Sequence, residues 1–358
     1  VSDYLEPGAR VGILGGGQLG RMLAMAAARL GLDAVIFAPE HDSPASRVAA
    51  ETIVAEYDDL DAVARFAGSV SAVTYEFENV PVATAEAAAA EAPVRPGPKA
   101  LEVAQDRLVE KTFLNDHAAP TVAFENAESA AEARAAFETL GGPAILKTRR
   151  FGYDGKGQAV VRSAEEAGAA FDEIGGHPAI LEAFADFRRE ISIVAARDVE
   201  GHVAAYPVSE NLHGEGILRE CAAPARADAA VVAEAERIAA TLLEALDYVG
   251  VIAVELFELD DGKLLVNEIA PRVHNTGHWT MDACACSQFE QHIRAVAGWG
   301  LGDPAPHSAA RMINLIGDEA NAWKRWLAHD DAVLHLYGKR GVRPGRKMGH
   351  VNILSRLP

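Results

Sequence analysis

Apolar and polar positions change period along the chain, and the changes divide it into elements. Residues 10–40, RVGILGGGQLGRMLAMAAARLGLDAVIFAPE, read as strand, glycine turn, helix and strand. A third apolar run ends in AVTYEFENVP. It sets Glu76, Glu78 and Asn79 where a parallel strand ends, the usual ligand edge of such a sheet. Residues 82–92 predict an Ala- and Glu-rich helix, RPGPKA at 95–100 breaks the pattern, and 101–120 predict one helix closing at Pro120. PAILKT at 143–148 and AVVR at 159–162 predict strands on either side of a glycine-rich loop. AILEAF at 179–184 predicts a short strand whose edge can offer backbone groups to a planar ring. REISIVAARDVEGHVAAYPV predicts two strands around Glu200-Gly201, with Glu190 on the first, and NLHGEGILRE a glycine-bounded loop carrying His213. Helices are expected over 226–247 and 281–298, and the tail over 305–358 holds INLIG, VLHLYGK and GHVNIL as strands.

Residues 250–278 concentrate the chemistry. Val, Ile, Leu and Phe fill 251–259, Asp261-Gly262 is a two-residue hairpin signal of type I′, and 264–270 return as a second strand. Asp260 then faces Lys263, and Glu255 faces Glu268. Both carboxylates leave one face, where Ala253, Phe257, Val266 and Ala270 are their neighbours. Like charges directly opposed on a hairpin are unfavourable. Such a pair is solvated at a surface, titrates as a coupled unit, or holds a cation; the apolar flanks argue against simple exposure. Oxygen-only donors suit a hard ion, Mg²⁺ or Mn²⁺. Arg272, His274, Asn275, Gly277 and His278 follow on an irregular loop, an arrangement ill suited to zinc.

Two other segments suit phosphate. Gly15-x-Gly17-x-x-Gly20 permits a tight turn and an anion at a helix N-terminus. Alone it predicts a dinucleotide site, hence a nicotinamide-binding oxidoreductase or NAD sensor. The acidic residue expected after the second strand is not clearly there, since Ala38 and Pro39 precede Glu40. RRFGYDGKGQ places Gly152, Gly155 and Gly157 in a basic and aromatic run, with Lys147 and Lys156 adding charge. GKG replaces the GK[ST] of a Walker loop, and strand–loop–strand is the shape of a flap over a nucleotide. Arg107 and Lys111 share a helix face; spacing alone reads them as solvated. A lone loop histidine such as His213 is read as structural or solvated.

Charge narrows the partners. The 358 residues carry 33 basic and 52 acidic side chains, net −19, which disfavours nucleic acid. Against that balance the cluster Lys339, Arg340, Arg343, Arg346 and Lys347 suits a bound phosphate better than a polymer. The length allows two or three domains. Three cysteines cannot make a disulfide framework and point to a reducing, cytoplasmic setting. Cys284-Ala285-Cys286 reads as two small buried residues. No leader pattern or membrane-length apolar run is seen, and no membrane partner is expected.

The segments GGGQLGRM, TYEFENVP, DRLVEK, FGYDGKGQ, NLHGEGILR, NEIAPRVHNTGHWT and RPGRKMGH, in that order and across essentially the whole chain, resemble the N5-carboxyaminoimidazole ribonucleotide synthetases, an ATP-grasp family of purine biosynthesis. The resemblance implies α/β and α+β architecture: an ATP-grasp fold with an N-terminal Rossmann-like (pre-ATP-grasp) parallel domain over 1–105, an ATP-grasp domain over 106–300 with its lid over about 118–182, and a small β-rich C-terminal domain over 301–358. It implies a carbon–nitrogen ligase that turns ATP, bicarbonate and 5-aminoimidazole ribonucleotide into the N5-carboxylated ribotide, ADP and phosphate through carboxyphosphate. Mg²⁺ or Mn²⁺ would sit on Glu255 and Glu268, and the enzyme would be a homodimer. ATP would be held by Arg107, Lys147, Gly152, Tyr153, Asp154, Gly155, Lys156, Gly157 and Gln158. Glu182, Ala183, Phe184 and Ala185 would surround adenine, Glu190 the ribose, with His213, Asn267 and Glu268 beside the nucleotide. The ribotide would meet Gly16, Gln18, Leu19, Glu76, His274 and Asn275, its phosphate Lys339, Arg346 and Lys347. Catalytic roles fall to Arg272, which would hold bicarbonate or carboxyphosphate, and to Tyr153 and Asp154, which would orient the aminoimidazole. Ala270 stands where many of the superfamily have Asn, so the metal would have fewer protein ligands or would use Asn267. A formylating or biotin-carboxylating relative is the alternative, against which TYEFENVP and RKMGH count.

Overall fold

The computed structural model describes residues 4–152 and 157–357. The expectations for Tyr153, Asp154, Gly155 and Lys156 lie outside the described residues.

Strands β1 (Arg10–Leu14), β2 (Asp33–Ala38), β3 (Glu51–Val54) and β4 (Ala72–Tyr75) form a parallel sheet in the order β3-β2-β1-β4. Their near-continuous apolar sequences follow from burial on both faces. Val11 and Ile13 pack with Leu23 of α1 (Gln18–Arg29). Leu14, Val35 and Phe37 pack with Phe66 of α2 (Leu60–Ala67) and Ala85 of α3 (Val82–Ala89). The order reverses beside β1, so a crevice opens beyond the ends of β1 and β4.

The single helix expected over 101–120 is two, α4 (Pro98–Ala104) and α5 (Arg107–Asp116). Asp106 makes the break. Its carboxylate accepts the Leu108 and Val109 amides at 3.0 and 3.5 Å, an N-cap inside an otherwise helical pattern. Pro98 is the first residue of α4, so RPGPKA starts a helix as well as breaking one.

A second sheet holds β5 (Phe124–Ala127), β6 (Ala144–Thr148), β7 (Gln158–Val161) and β8 (Ala179–Ala183) in the order β5-β8-β6-β7, all antiparallel. Helices α6 (Ala130–Leu140) and α7 (Ala164–Glu173) share its apolar core. The expectation that AILEAF forms an edge is corrected: β8 lies between two neighbours, and its ladder groups are already paired.

The third sheet has nine strands: β9 (Arg189–Arg197), β10 (Val203–Ala205), β11 (Ser209–Gly214), β12 (Ile217–Ala223), β13 (Gly250–Glu258), β14 (Leu264–Ala270), β15 (Ala309–Ile316), β16 (Ala332–Leu336) and β17 (Lys347–Ser355). Its order is β14-β13-β9-β11-β12-β15-β17-β16, with β10 on β9, so the tail strands continue the central sheet. NLHGEGILRE is a hairpin rather than a loop. Glu215 and Gly216 both have positive φ, 54° and 75°, as a type I′ turn needs, and His213 therefore sits on a strand. Helix α8 (Ala229–Ala245) packs on β9 and β13. The 281–298 segment is again two helices, α9 (Thr280–Ala283) and α10 (Gln288–Val296), the second capped by Ser287. A short α11 (Trp323–Trp326) precedes β16.

Glu255 does face Glu268, but by a different route. The loop is not a two-residue turn: Leu259 donates to Lys263, Gly262 donates to Leu259, and Gly262 has φ +80°. Pairing beyond the loop is Glu258–Leu264, Phe257–Leu265 and Leu256–Val266. One residue, Asn267, then bulges from β14 and restores the opposition of Glu255 and Glu268. The carboxylates' face therefore carries Leu265, while Val266 enters the core with Leu256, contrary to the expected alternation.

Candidate active site

The three sheets enclose a cavity of about 450 Å³. The crevice of the first sheet contributes Glu78 and Asn79, the second sheet Ile145 and Lys147, and the third Glu190, His213, Glu255, Glu268 and Lys347. Of the residues singled out from sequence, Arg107, Gly152, Gln158, Asn267, Arg272, His274 and Asn275 also line it. The bulge explains Asn267, whose side chain would otherwise face away from Glu268.

Helix α5 brings the charge. Arg107 Nη1 lies 3.1 Å from Glu268 Oε2. Lys111, fully buried, reaches Glu182 at 3.4 Å and donates to the Asn267 carbonyl at 3.1 Å. The solvated-face reading of this helix is therefore overturned. Lys147 donates to Glu182 at 2.7 Å, so the Glu182 carboxylate is committed to two ammonium groups. Ala183 and Phe184 donate their amides to Ala123 and Pro143, which leaves carbonyls rather than those amides for a ligand.

The carboxylates differ in electrostatics. Burial and then the charge of Glu268 push the Glu255 carboxyl up to about 7. Burial also opposes ionisation of Glu268, but Arg107 and Lys147 outweigh it and hold its pKa below the usual range. His274 lies 3.5 Å from Glu255, and burial followed by repulsion from Arg272 keeps its imidazole neutral. His213 pairs with Glu190; burial disfavours the imidazolium, yet the hydrogen bond to Glu190 raises its pKa. Arg272 Nη2 is 2.8 Å from Glu78, linking the hairpin wall to the first sheet.

Other expected residues lie elsewhere. Glu76 is buried beside the glycine turn, where it accepts the Gly17 amide at 2.6 Å. The chain's own carboxylate thus occupies the anion-accepting start of α1, which counts against a dinucleotide phosphate there. Gly16, Gln18 and Leu19 surround this turn. Arg346 donates Nη1 to the carbonyls of Arg340 and Gly341, stapling its own loop. Lys347 reaches the cavity, whereas Lys339 stacks over Tyr337 at 5.7 Å. Sequence reasoning missed Glu110 and the buttress Gln288, which accepts the His274 amide at 2.9 Å and donates to its carbonyl at 2.6 Å.

A parallel first sheet, an antiparallel second sheet carrying an inward lysine, and opposed acidic residues on the third together define an ATP-grasp protein, a class of ligases. Comparison agrees: residues 112–289 match the ATP-grasp domain, 9–105 the ribonucleotide synthetase preATP-grasp domain, and 310–357 the phosphoribosylaminoimidazole carboxylase C-terminal domain. The chain belongs to the N5-carboxyaminoimidazole ribonucleotide synthase family. It is 53% identical to the synthase of Brucella melitensis over 97% of this chain and 96% of that protein. A crystal structure of the ADP complex of an N5-carboxyaminoimidazole ribonucleotide synthetase superposes with a TM-score of 0.95 at 38% identity, covering 99% of this chain and 94% of that one. The Aspergillus clavatus synthase with ADP and 5-aminoimidazole ribonucleotide gives 0.91 at 30% identity, over 98% and 94%.

Proposed function

We propose that this cavity carries out the ATP-dependent carboxylation of 5-aminoimidazole ribonucleotide, a step of purine biosynthesis, with bicarbonate as the carboxyl source. The γ-phosphoryl group passes to a bicarbonate oxygen and releases ADP. The carboxyl group then passes to the ribotide's exocyclic nitrogen as phosphate leaves and that nitrogen gives up a proton. The observation that carries the reading is the opposed pair Glu255 and Glu268 in one cavity with Lys147 and Arg107. Among the described residues the ion-pair contact of Glu255 is the neutral His274, and burial beside Glu268 makes the Glu255 charge unfavourable. A hard divalent cation fits this oxygen-only pair, and Glu255 and Glu268 would hold it, with Asn267 available on the bulge. When bound, such an ion neutralises charge on the phosphates.

The chain's own residues divide the remaining work. Arg107 and Lys147 direct positive charge at the phosphates. Glu190, with His213 behind it, accepts ribose hydroxyls, and Phe184 and Ala185 border adenine. Arg272, held by Glu78, orients bicarbonate or carboxyphosphate. Tyr153 and Asp154 orient the aminoimidazole. Glu76, beside Gly16, Gln18 and Leu19, meets the ribotide's sugar, and Lys347, with Lys339 and Arg346, its phosphate. The protein works as a homodimer in the cytoplasm. Its buried, unpaired Cys221, Cys284 and Cys286 suit a reducing compartment, and no helix among the described residues is long and apolar enough to cross a membrane.

The test is ADP release with ATP, Mg²⁺ and bicarbonate, with and without the ribotide. Stimulation by 5-aminoimidazole ribonucleotide and a product heavier by one carboxyl group support the reading. ADP release indifferent to the ribotide, or a formylated product, overturns it.

A further inference from the structure

Among the described residues β14 is the last strand of its sheet, and one side of its backbone has no strand partner. The segment 110–120 covers that side. Val266 donates to the Pro120 carbonyl at 2.7 Å, Lys111 Nζ donates to the Asn267 carbonyl at 3.1 Å, and Ile269 donates to Glu110 Oε1 at 2.7 Å. These bonds bracket Glu268. The residue before it is held by Lys111, the residue after it by Glu110, and its own carboxylate by Arg107. All three side chains come from one face of α5, at the i, i+3 and i+4 spacing that a single helix face provides. The clamp falls where the ladder is irregular, since Asn267 is the bulged residue.

A bulge is a local choice between registers. Without it the strand would continue in its other register, and Glu268 would leave the sheet on the opposite face. We propose that Glu110 and Lys111 are positioning residues: they hold the β14 bulge and thereby aim Glu268 into the cavity opposite Glu255. Glu110 borders the cavity and Lys111 does not, but the role needs neither to touch nucleotide or metal. Glu110 is turned to the Ile269 amide, and Lys111 is divided between Glu182 and the Asn267 carbonyl. The inference rests on the reading of Glu255 and Glu268 as the cation site of the ATP-cleaving centre.

The experiment uses the full chain with ADP present and Mn²⁺ as probe, free Mn²⁺ being followed by electron paramagnetic resonance. Glu110→Leu removes the acceptor for the Ile269 amide. Glu110→Gln keeps a carbonyl acceptor and removes the ionisable group. Lys111→Met keeps the length and removes the donor. Outer-shell groups of this kind alter metal affinity on the order of 10–100-fold, and a loss in that range is expected for Glu110→Leu and Lys111→Met. Glu110→Gln is expected to stay close to the parent. ADP formation should fall in parallel while the KM for the ribotide holds. A role in stability alone would lower the melting temperature and leave Mn²⁺ affinity unchanged.

Parent-like affinity in folded Glu110→Leu and Lys111→Met overturns the proposal. So does a loss in Glu110→Gln as large as in Glu110→Leu, because the ionisable group rather than the hydrogen bond would then be at work. If Glu110→Leu does not fold, the comparison of Lys111→Met with Glu110→Gln decides. Glu268→Gln is the reference. If it keeps Mn²⁺ binding and turnover, the cation site itself is misassigned; if it loses both while the clamp variants lose neither, only the clamp fails.

Discussion

Glu76 at the end of β4 is buried and Glu268 on β14 is half-buried, and the surroundings of the two carboxylates are built from different materials. Glu76 rests on backbone, on the Gly17 amide and the start of α1. Burial still dominates and raises its pKa. Glu268 rests on side chains, Arg107 and Lys147, and its pKa is lowered in spite of burial. Peptide dipoles fix where a carboxylate sits but compensate only part of its charge; full cations fix the charge as well. The first environment suits a hydrogen-bond partner for sugar hydroxyls. The second suits a group that must remain an anion to share a metal ion.

The contrast is broken most severely at Glu268. Glu268→Gln should lower ADP formation by about 10²–10³-fold, the usual loss when charge stabilisation is removed from a reacting centre. Glu76→Gln should raise the ribotide KM and leave ATP affinity unchanged. Steady-state kinetics on both variants checks this, and normal turnover in Glu268→Gln would end the distinction.

Next in size is Asp106, which supports the cationic wall from below. It caps α5 and accepts two bonds from Arg149, at 2.9 and 2.8 Å. Asp106→Ala should destabilise by about 3 kcal/mol, because it removes a cap and leaves a partly buried guanidinium without its anion. Burial raises the Asp106 pKa, but the bonds from Arg149 prevail and lower it. The charge-dependent part of its contribution is therefore present above the unfolded pKa of about 3.9 and is lost as pH falls through the lower folded value. Urea melts should show the gap between parent and variant narrowing only on that acid side. A gap independent of pH would assign the effect to packing.

Lys347→Ala sharpens the comparison from the ribotide side. One charge-assisted bond to a phosphate is worth roughly 1.5–3 kcal/mol, so the ribotide KM should rise about 10- to 100-fold while ATP is unaffected. An effect on ATP instead would assign Lys347 to the nucleotide. Arg346→Ala should act through its loop, with a smaller change. The mildest test is Gly15→Ala. Gly15 has φ +120°, and a Cβ there would lie 2.6 Å from Glu76 Cγ. Destabilisation of about 1–2 kcal/mol and weaker ribotide binding are expected, with Mn²⁺ affinity at the hairpin unchanged.

The backbone-built environment was the harder one to read from sequence. Gly15, Gly17 and Gly20 announce a tight turn, but nothing in their spacing says that the chain supplies its own anion. The opposition of Glu255 and Glu268 was legible, although two local errors cancelled: a longer loop displaced the register and the Asn267 bulge restored it. Strand periodicity predicts alternation and is blind to one inserted residue. On α5 the spacing did carry a signal. Arg107, Glu110 and Lys111 fall at the positions an apolar stripe would use, and the next place in that stripe is the fully buried Leu114. Charged residues in register with a buried leucine mark a helix face turned inward toward charged partners. Asp106 was legible as a cap only if the helix was already known to break there. The hairpin at Glu215-Gly216 was missed because Glu is an uncommon residue at positive φ.

The segment 110–120 also keeps a strand edge from neighbouring molecules. An uncovered β14 would present a row of free amides and carbonyls along a strand rich in apolar residues, Leu264, Leu265, Val266, Ile269 and Ala270, a template for pairing with another chain. Variants that loosen α5 should then fail in the cell by association, appearing in the insoluble fraction while the soluble remainder still melts cooperatively. The same few bonds that organise the cavity would thus also govern how much of the protein stays in solution.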